Sequence, residues 1–184
     1  MEKILIADDD RVVLFTLCDG LREAGFEVIE ARDGLQALEL CQSNAPELAL
    51  LDIRMPGMDG LELARRLRDE TPVPFLFFSA YKDEDYVRRA VDSGALGYLI
   101  KPLQVATLVP MIRTALARAQ DIDGLQGALA SNRSIATAVG MLMHAEALDQ
   151  ATAFERLRQR ARMRRCRLEE LALTMINSGK RQAP

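Results

Sequence analysis

Five short apolar runs, each followed by a stretch with helical spacing, constrain the fold of this chain more than any other feature. The runs fall at 3–7, 27–31, 48–51, 75–78 and 97–100, and helical patterns follow at 11–24, 34–44, 60–70, 84–93 and from about Val105. Strands that alternate with helices in this way form βαβ units, whose parallel strands carry helices on both faces of the sheet. We therefore expect an α/β domain with a doubly wound, five-stranded parallel sheet over residues 1–120.

Two of the runs indicate where their strands lie in the sheet. The run 48–51 is apolar at every position, which is typical of a central strand buried on both faces. The run 27–31 alternates apolar and charged side chains, which favours a position nearer the edge. Doubly wound sheets bind ligands beyond the carboxyl ends of their strands, so the residues that follow each run are candidates for a site.

A long helical pattern continues from this domain. We expect a linker helix over 103–132, continuous with the last helix of the α/β domain, because Gly124 and Gly127 weaken a helix without breaking it. Its apolar residues approach the a and d positions of a coiled coil, with Gln126 as an interruption. They are Ile112, Ala115, Ala119, Ile122 and Leu129. This seam favours pairing with a second copy of the chain; the alternative is that the stripe packs on its own domain.

Residues 133–178 contain three short helical segments. Apolar residues recur with helical spacing from Ile135, from Ala153 and from Leu168, and Asp149 is the predicted N-cap of the middle segment. None of the segments is long enough to be stable alone, so we expect them to pack as a small three-helix bundle. The tail, residues 179–184, is expected to be frayed.

The cysteine and histidine content excludes several kinds of site. Cys18, Cys41 and Cys166 are far apart and His144 is the single histidine, which argues against a disulfide framework and a zinc site. No apolar run approaches the roughly 18 residues that span a bilayer, and the N-terminus has no signal-peptide pattern. These features lead us to expect a cytoplasmic protein.

Charge is distributed unevenly along the chain. Residues 1–120 contain 14 Lys and Arg against 20 Asp and Glu, whereas residues 121–184 contain 10 against 7. An acidic first part and a basic second part indicate two modules with different partners.

Charged and hydroxyl side chains follow four of the predicted strands. Asp8 and Asp9 follow the first strand, Asp52 the third, Ser79 the fourth and Lys101 the fifth. Carboxylates that converge at one sheet edge repel one another and need a cation, and with only oxygen ligands Mg²⁺ fits best. A carboxylate beside a metal, a hydroxyl and an ammonium is suited to phosphoryl transfer, because the cations neutralise charge on the transferred group.

Four motifs in this order resemble the receiver domain of bacterial two-component response regulators. They are the segments 8–9, 51–60, 79–80 and 97–102. The resemblance covers residues 1 to about 120 and implies a flavodoxin-like fold, a cognate histidine kinase as partner and Mg²⁺ as cofactor. It also implies a regulator that is no enzyme in its own right, although its receiver catalyses its own phosphorylation and dephosphorylation.

The resemblance assigns the acidic residues to two roles. Asp52 is implied as the phospho-acceptor. Asp9 is implied as a direct ligand of Mg²⁺ and Asp8 as a ligand through water, with Asp52 and the backbone carbonyl of Arg54 completing the set. Taken singly, an aspartate here has an ordinary structural explanation as a helix cap, and that is the role expected for Asp10.

The other matched residues are implied to act on the phosphoryl group. Lys101 would pair with its oxygens, and Ser79 would move toward it while Tyr98 follows inward as the second switch residue. Singly, Ser79 is explained as a turn residue, Tyr98 as packing and Lys101 as a solvated side chain. The joint pattern favours phosphorylation.

Seven arginines lie between residues 156 and 167. Arginine binds phosphate and stacks on bases, so the cluster favours a nucleic-acid surface over the alternative of a solvated helix paired with nearby glutamates. The candidate RNA contacts are Arg133, Arg158, Arg162, Arg164 and Arg165.

Residues 132 to 178 resemble the ANTAR domain, a three-helix RNA-binding output module. The resemblance is carried by the segments 132–143 and 151–158, Ala161, Leu168, the pair 171–172 and Ile176. It implies binding to paired stem-loops of leader RNA, which stabilises an antiterminator. The sequence departs from many members at Val139, where they carry a lysine, and close helix packing is the expected explanation for Ala138 and Gly140.

The main hypothesis is a response regulator that is phosphorylated on Asp52, forms a homodimer on phosphorylation and acts as an RNA-binding transcription antiterminator. One alternative is a phosphorylation-dependent adaptor whose bundle binds a partner protein. Another is a DNA-binding transcription regulator.

Overall fold

The computed structural model describes residues 1–180 of the chain. It divides into two compact units, one from Met1 to Gln120 and a second that begins at Asp121. The following elements are described. The first unit contains β1 (Lys3–Ala7), α1 (Arg11–Glu23), β2 (Glu27–Ala31), α2 (Gly34–Asn44), β3 (Leu48–Leu51), α3 (Gly60–Glu70), β4 (Phe75–Ser79), α4 (Glu84–Asp92) and β5 (Tyr98–Ile100). They are followed by α5 (Val105–Glu146), α6 (Gln150–Arg164) and α7 (Leu168–Lys180).

The sheet of the first unit has the predicted doubly wound arrangement. Its five strands run in the order β2-β1-β3-β4-β5, and every neighbouring pair is parallel. Strand β3 is central and buried at all four positions, and β2 lies at an edge with most residues partly exposed. The predictions from the apolar and the alternating run are therefore confirmed.

Side chains alternate between the two faces of each strand, and each face has its own helical cover. In β1, Leu5 and Ala7 pack with α2, α3 and α4, whereas Ile4 and Ile6 pack with α1 and the first part of α5. Because all the strands are parallel, their carboxyl ends meet at one edge of the sheet. The expected cap is also present, since the Asp10 side chain accepts hydrogen bonds from the backbone N–H groups of Val12 and Val13 at the start of α1.

Helix α5 runs without a break from Val105 to Glu146. The sequence analysis expected a linker helix over 103–132 followed by a separate first helix of the bundle, and this separation is wrong. Residues 132–134 contain no glycine or proline that would end a helix, so the helical hydrogen bonds continue through them. Among the described residues, no helix has both the length and the apolarity needed to cross a membrane.

The predicted coiled-coil seam on α5 divides into two parts. Ile112 and Ala115 belong to the core of the first unit, so this part of the stripe packs on its own domain, as the alternative proposed. Ile122 and Leu129 are exposed, by 43% and 69%. Leu125 is exposed by 66% and lies between them, whereas the sequence analysis placed Gln126 in the seam.

The second unit has a small core of its own. Its buried members come from the last part of α5 and from α6 and α7, and include Ala138, Leu142, Leu157 and Leu171. The Asp149 side chain accepts a hydrogen bond from the Thr152 backbone N–H, as predicted for the N-cap of α6. Residues 179 and 180 of the expected frayed tail are helical in α7, and residues 181–184 lie outside the described residues.

Candidate functional site

Two neighbouring strands bring three carboxylates together at the carboxyl edge of the sheet. Ala7 of β1 pairs with Leu51 of β3, and the Asp52 backbone N–H donates to the Ala7 carbonyl at 2.8 Å. This register places Asp52 beside Asp8, the residue that follows Ala7. One carboxylate oxygen from each of Asp8, Asp9 and Asp52 lies within 4.8 Å of the others. The convergence expected from the strand order is therefore present.

The three carboxylates differ in exposure. Asp8 and Asp52 are 1% and 7% exposed, whereas Asp9 is exposed. Asp9 lines an open cavity of about 430 Å³ together with Arg54, Asp59 and Arg89. The cluster therefore has two buried carboxylates and one acid that faces the cavity.

Lys101 compensates the buried negative charge. Its Nζ lies 2.5 Å from Asp8 Oδ2 and 3.2 Å from Asp52 Oδ1. Burial raises the pKa of the Asp8 carboxyl above its usual value, and the hydrogen bond from Lys101 opposes that rise. Because β4 and β5 are paired, the Lys101 backbone N–H also donates to the Ser79 carbonyl at 2.9 Å, which fixes the lysine beside the site.

Two buried polar atoms at this edge are unsatisfied. Within the described residues, Asp52 Oδ1 and Ser79 Oγ have no hydrogen-bond partner, although Lys101 Nζ faces Asp52 Oδ1 at ion-pair distance. Buried polar groups in folded proteins are nearly always hydrogen-bonded. Both atoms are therefore available to a further polar group at this edge of the sheet.

The loop between β3 and α3 is held tightly against Asp52. The Gly60 backbone N–H donates to the Ile53 carbonyl at 2.8 Å, and a Cβ on Gly60 would overlap the Asp52 carbonyl oxygen. Gly57 has a φ of 77°, which favours glycine. The loop that follows Asp52 therefore requires glycine at position 60 and favours it at position 57.

Tyr98 is half-buried and packs against the core of the first unit. Its hydroxyl donates to the Tyr81 backbone carbonyl at 2.8 Å, and burial raises the pKa of that hydroxyl. Tyr81 in turn accepts a hydrogen bond from the Arg54 guanidinium, which lies 4.8 Å from the centre of its ring. The sequence analysis missed Tyr81; the signal available was an aromatic residue two positions after Ser79.

The candidate RNA-binding arginines differ in their ion pairs. Arg158, which the sequence analysis singled out, lies 2.6 Å from Glu155. Arg156 and Arg160 both pair with Glu146, and Arg167 pairs with Glu169. The exposed candidates with no carboxylate at ion-pair distance among residues 1–180 are Arg133, Arg162, Arg164 and Arg165.

Comparison with known families gives matches to both parts of the chain. Residues 4–113 match the response regulator receiver domain, and residues 123–176 match the ANTAR domain. Transcriptional regulatory protein PdtaR of Mycobacterium tuberculosis is 30% identical over 184 residues, covering 96% of this chain and 90% of the relative. Transcriptional regulatory protein CseB of Streptomyces avermitilis is 41% identical over 115 residues, which are 62% of this chain and 49% of the relative.

Solved structures resemble the first unit. A CheY-like receiver domain protein from Methanospirillum hungatei has a TM-score of 0.62 and 26% identity, and the match covers 66% of this chain and 98% of that structure. The receiver domain of the putative response regulator NarL from Mycobacterium tuberculosis has a TM-score of 0.59 and 33% identity, covering 63% of this chain and 96% of that structure.

Proposed function

We propose that this chain links phosphorylation of Asp52 to transcription antitermination in the cytoplasm. It belongs to the response regulators that combine a receiver domain with an ANTAR domain. A histidine kinase donates the phosphoryl group, and the regulator then binds stem-loops of leader RNA. Residues 1–120 act as the receiver and residues 133–178 as the RNA-binding module, with 103–132 as the linker.

One observation carries the receiver half of this proposal: the buried Asp52 carboxylate lies within reach of a lysine and two further acids. Lys101 Nζ stands 3.2 Å from Asp52 Oδ1, close enough to face an oxygen of a phosphoryl group attached there. The unpaired Ser79 hydroxyl is available to turn toward the same group. Tyr98 responds because its hydroxyl is held by the loop that follows Ser79.

The acidic cluster suits Mg²⁺. Its donors are oxygen atoms only, one of them a buried atom without a hydrogen-bond partner, and hard cations prefer such ligands. Asp9 and Asp52 would bind the ion directly, with Asp8 through water and Arg54 through its backbone carbonyl. When bound, the metal neutralises charge on the transferred group.

The RNA half rests on charge and on the ANTAR match. The second unit has an excess of Lys and Arg, and some of its arginines are exposed without a carboxylate partner among residues 1–180. Arg133, Arg162, Arg164 and Arg165 are the proposed phosphate contacts, and Arg158 joins them when it leaves Glu155. Because the bases of RNA loops are unstacked and accessible, loops suit recognition by arginine.

A homodimer is the proposed link between the two halves. On α5, Ile122, Leu125 and Leu129 follow one another at spacings of three and four residues, and all three are exposed. That spacing is the a/d pattern of a two-stranded coiled coil. We assign the seam to this stripe, and phosphorylation of the receiver favours its pairing with a second copy.

A phosphorylation assay tests the acceptor. The full chain is incubated with Mg²⁺ and acetyl phosphate, and phosphoprotein is separated by its retarded mobility in a phosphate-affinity gel. Asp52→Asn should abolish the retarded band. Asp59→Asn is the matched control, because it removes an equal charge from the same loop and asparagine still caps α3. Equal labelling of Asp52→Asn and the wild type would refute the assignment of Asp52.

A gel shift tests the output. Structured leader RNA is titrated with phosphorylated and unphosphorylated protein at two salt concentrations, and binding should weaken steeply as salt rises because arginines displace counterions. No shift under any condition would favour the protein-binding adaptor. Efficient competition by duplex DNA would favour the DNA-binding regulator.

A further inference from the structure

Within the described residues, no close contact and no backbone conformation requires a glycine at position 140. It lies in the interior of α5, where glycine is less favourable than alanine by about 1 kcal/mol. A Cβ built on Gly140 meets no atom within 4 Å, and its backbone is not left-handed. Ala138 is fully buried in the bundle, so close packing explains that residue, but the same expectation for Gly140 is wrong. Gly124 and Gly127 on the same helix are equally open, but of these three glycines Gly140 is the one that lines the groove described next, where a partner can approach the helix closely.

The space beside Gly140 is a groove between the last part of α5 and the first turns of α6. It has a volume of about 580 Å³, within the range of pockets that hold small organic groups. Its floor consists of small and apolar residues, and Phe154 contributes an aromatic ring that is 38% exposed. The groove is lined by Asn132, Ile135, Ala136, Val139, Gly140, Met143, Gln150, Ala151 and Phe154.

We propose that this groove, named the Gly140 groove, binds an unpaired base of the target RNA; the proposal rests on the RNA-binding function argued above. Bases of RNA loops are recognised by stacking on aromatic side chains and by hydrogen bonds to their edges. Phe154 supplies the aromatic surface, and the amides of Asn132 and Gln150 can both donate and accept.

Charge favours RNA over other occupants of the groove. Arg133 is exposed and lies three and seven residues before Ala136 and Gly140, on the same side of α5, where it can contact the phosphate next to a bound base. Asp149, at the start of α6, carries a negative charge that is partly offset by hydrogen bonds from Thr152. A second copy of α5 would use a stripe on one helix, whereas this groove is formed by two helices.

A pair of glycine substitutions tests the proposal. Hairpins with randomised loops are first selected on the wild-type full chain, and the selected hairpin is the probe. Gly140→Leu fills the groove and should weaken binding about tenfold or more. Gly127→Leu is the matched control: it lies on the same helix, a Cβ there also meets nothing within 4 Å, and it does not line the groove. It should change the affinity by less than about twofold.

Salt dependence separates a base contact from a phosphate contact. Gly140→Leu and Phe154→Ala should lower the affinity without changing the slope of log Kd against log salt, while Arg133→Gln should reduce that slope by about 0.7. Phe154→Tyr should retain the affinity. Both leucine variants should keep or raise the Tm, because leucine is the better helix former.

Three outcomes would overturn the proposal. If Gly140→Leu binds the hairpin like the wild type, the groove does not hold a base although the protein binds RNA. If the variant also weakens dimerisation in sedimentation without RNA, a second copy occupies the groove. If the wild type selects no hairpin, the RNA-binding function fails and the base site fails with it.

Discussion

At the scale of single residues, Lys101 gives the most direct test, because it offsets the charge of two buried acids. Its side chain is 15% exposed and those of Asp8 and Asp52 are 2% and 8% exposed. Within residues 1–180, Lys101 is the cation at ion-pair distance from both acids, and burial already raises the pKa of Asp8. Replacing one partner of a buried ion pair is strongly unfavourable, whereas replacing both can be nearly neutral.

Lys101→Met should therefore lower the free energy of unfolding of the first unit by about 3 kcal/mol in the absence of divalent cations. The double variant Asp8→Asn with Lys101→Met should recover part of that loss, because Asp52 still lacks the lysine. Urea titration in EDTA, followed by tyrosine fluorescence, measures this unit alone, since all three tyrosines lie between residues 81 and 98 and the chain has no tryptophan. A double variant as unstable as Lys101→Met would show that the lysine does not stabilise the unit through Asp8.

The cysteines give a second prediction at this scale. Burial raises the pKa of Cys18 and of Cys41 from 9.0 to about 12, whereas Cys166 is partly exposed. At pH 8 the two buried thiols would contain about a thousandfold less thiolate than a free thiol. A short maleimide pulse on the native protein should label Cys166 alone, and urea should release the other two.

The raised pKa values of Cys18 and Cys41 also predict how the stability of the protein changes with pH. Because the folded thiols ionise at higher pH than the unfolded ones, stability should fall as the pH rises from about 9 toward 12. Labelling of Cys41 as fast as Cys166 in the native protein would contradict the packing of α2 on the sheet.

At the scale of elements, the sequence predicts what depends on periodicity and misses what depends on contacts between elements. The strands and the convergence of Asp52 with Asp8 follow from apolar runs and from the rule for parallel strand ends. Tyr81 could not be found in this way, because its contacts with Arg54 and Tyr98 depend on loop conformations that have no periodic signal. Gln126 was placed in the seam because the sequence cannot show how much of α5 its own domain covers.

At this scale, the exposed stripe of Ile122, Leu125 and Leu129 on α5 gives a prediction about dimerisation. Leu125→Glu places a charge in the proposed seam and should weaken dimerisation by roughly 100-fold. Gln126→Glu adds the same charge at the next residue, which lies in the register that the sequence predicted and outside the stripe of exposed apolar residues. Sedimentation of the phosphorylated protein measures both. A stronger loss in Gln126→Glu than in Leu125→Glu would restore the original seam.

At the scale of the whole molecule, the central question is how a phosphoryl group on Asp52 changes the affinity for RNA. The two compact units have different charge and separate cores. The dimer that we propose would solve this problem by mass action: phosphorylation would favour pairing, and two linked contacts would then hold two stem-loops with a higher effective concentration.

This mechanism predicts a specific dependence on protein concentration. With trace RNA carrying two stem-loops, unphosphorylated protein should bind with a steep, cooperative curve, because dimerisation and binding occur together. Phosphorylation should shift the curve to lower concentration and reduce its steepness, since the dimer is already formed. The shift should disappear in Asp52→Asn and be strongly reduced in Leu125→Glu. If sedimentation gives identical masses for both forms while phosphorylation still raises the affinity, the signal passes within one chain, and the dimer is not its carrier.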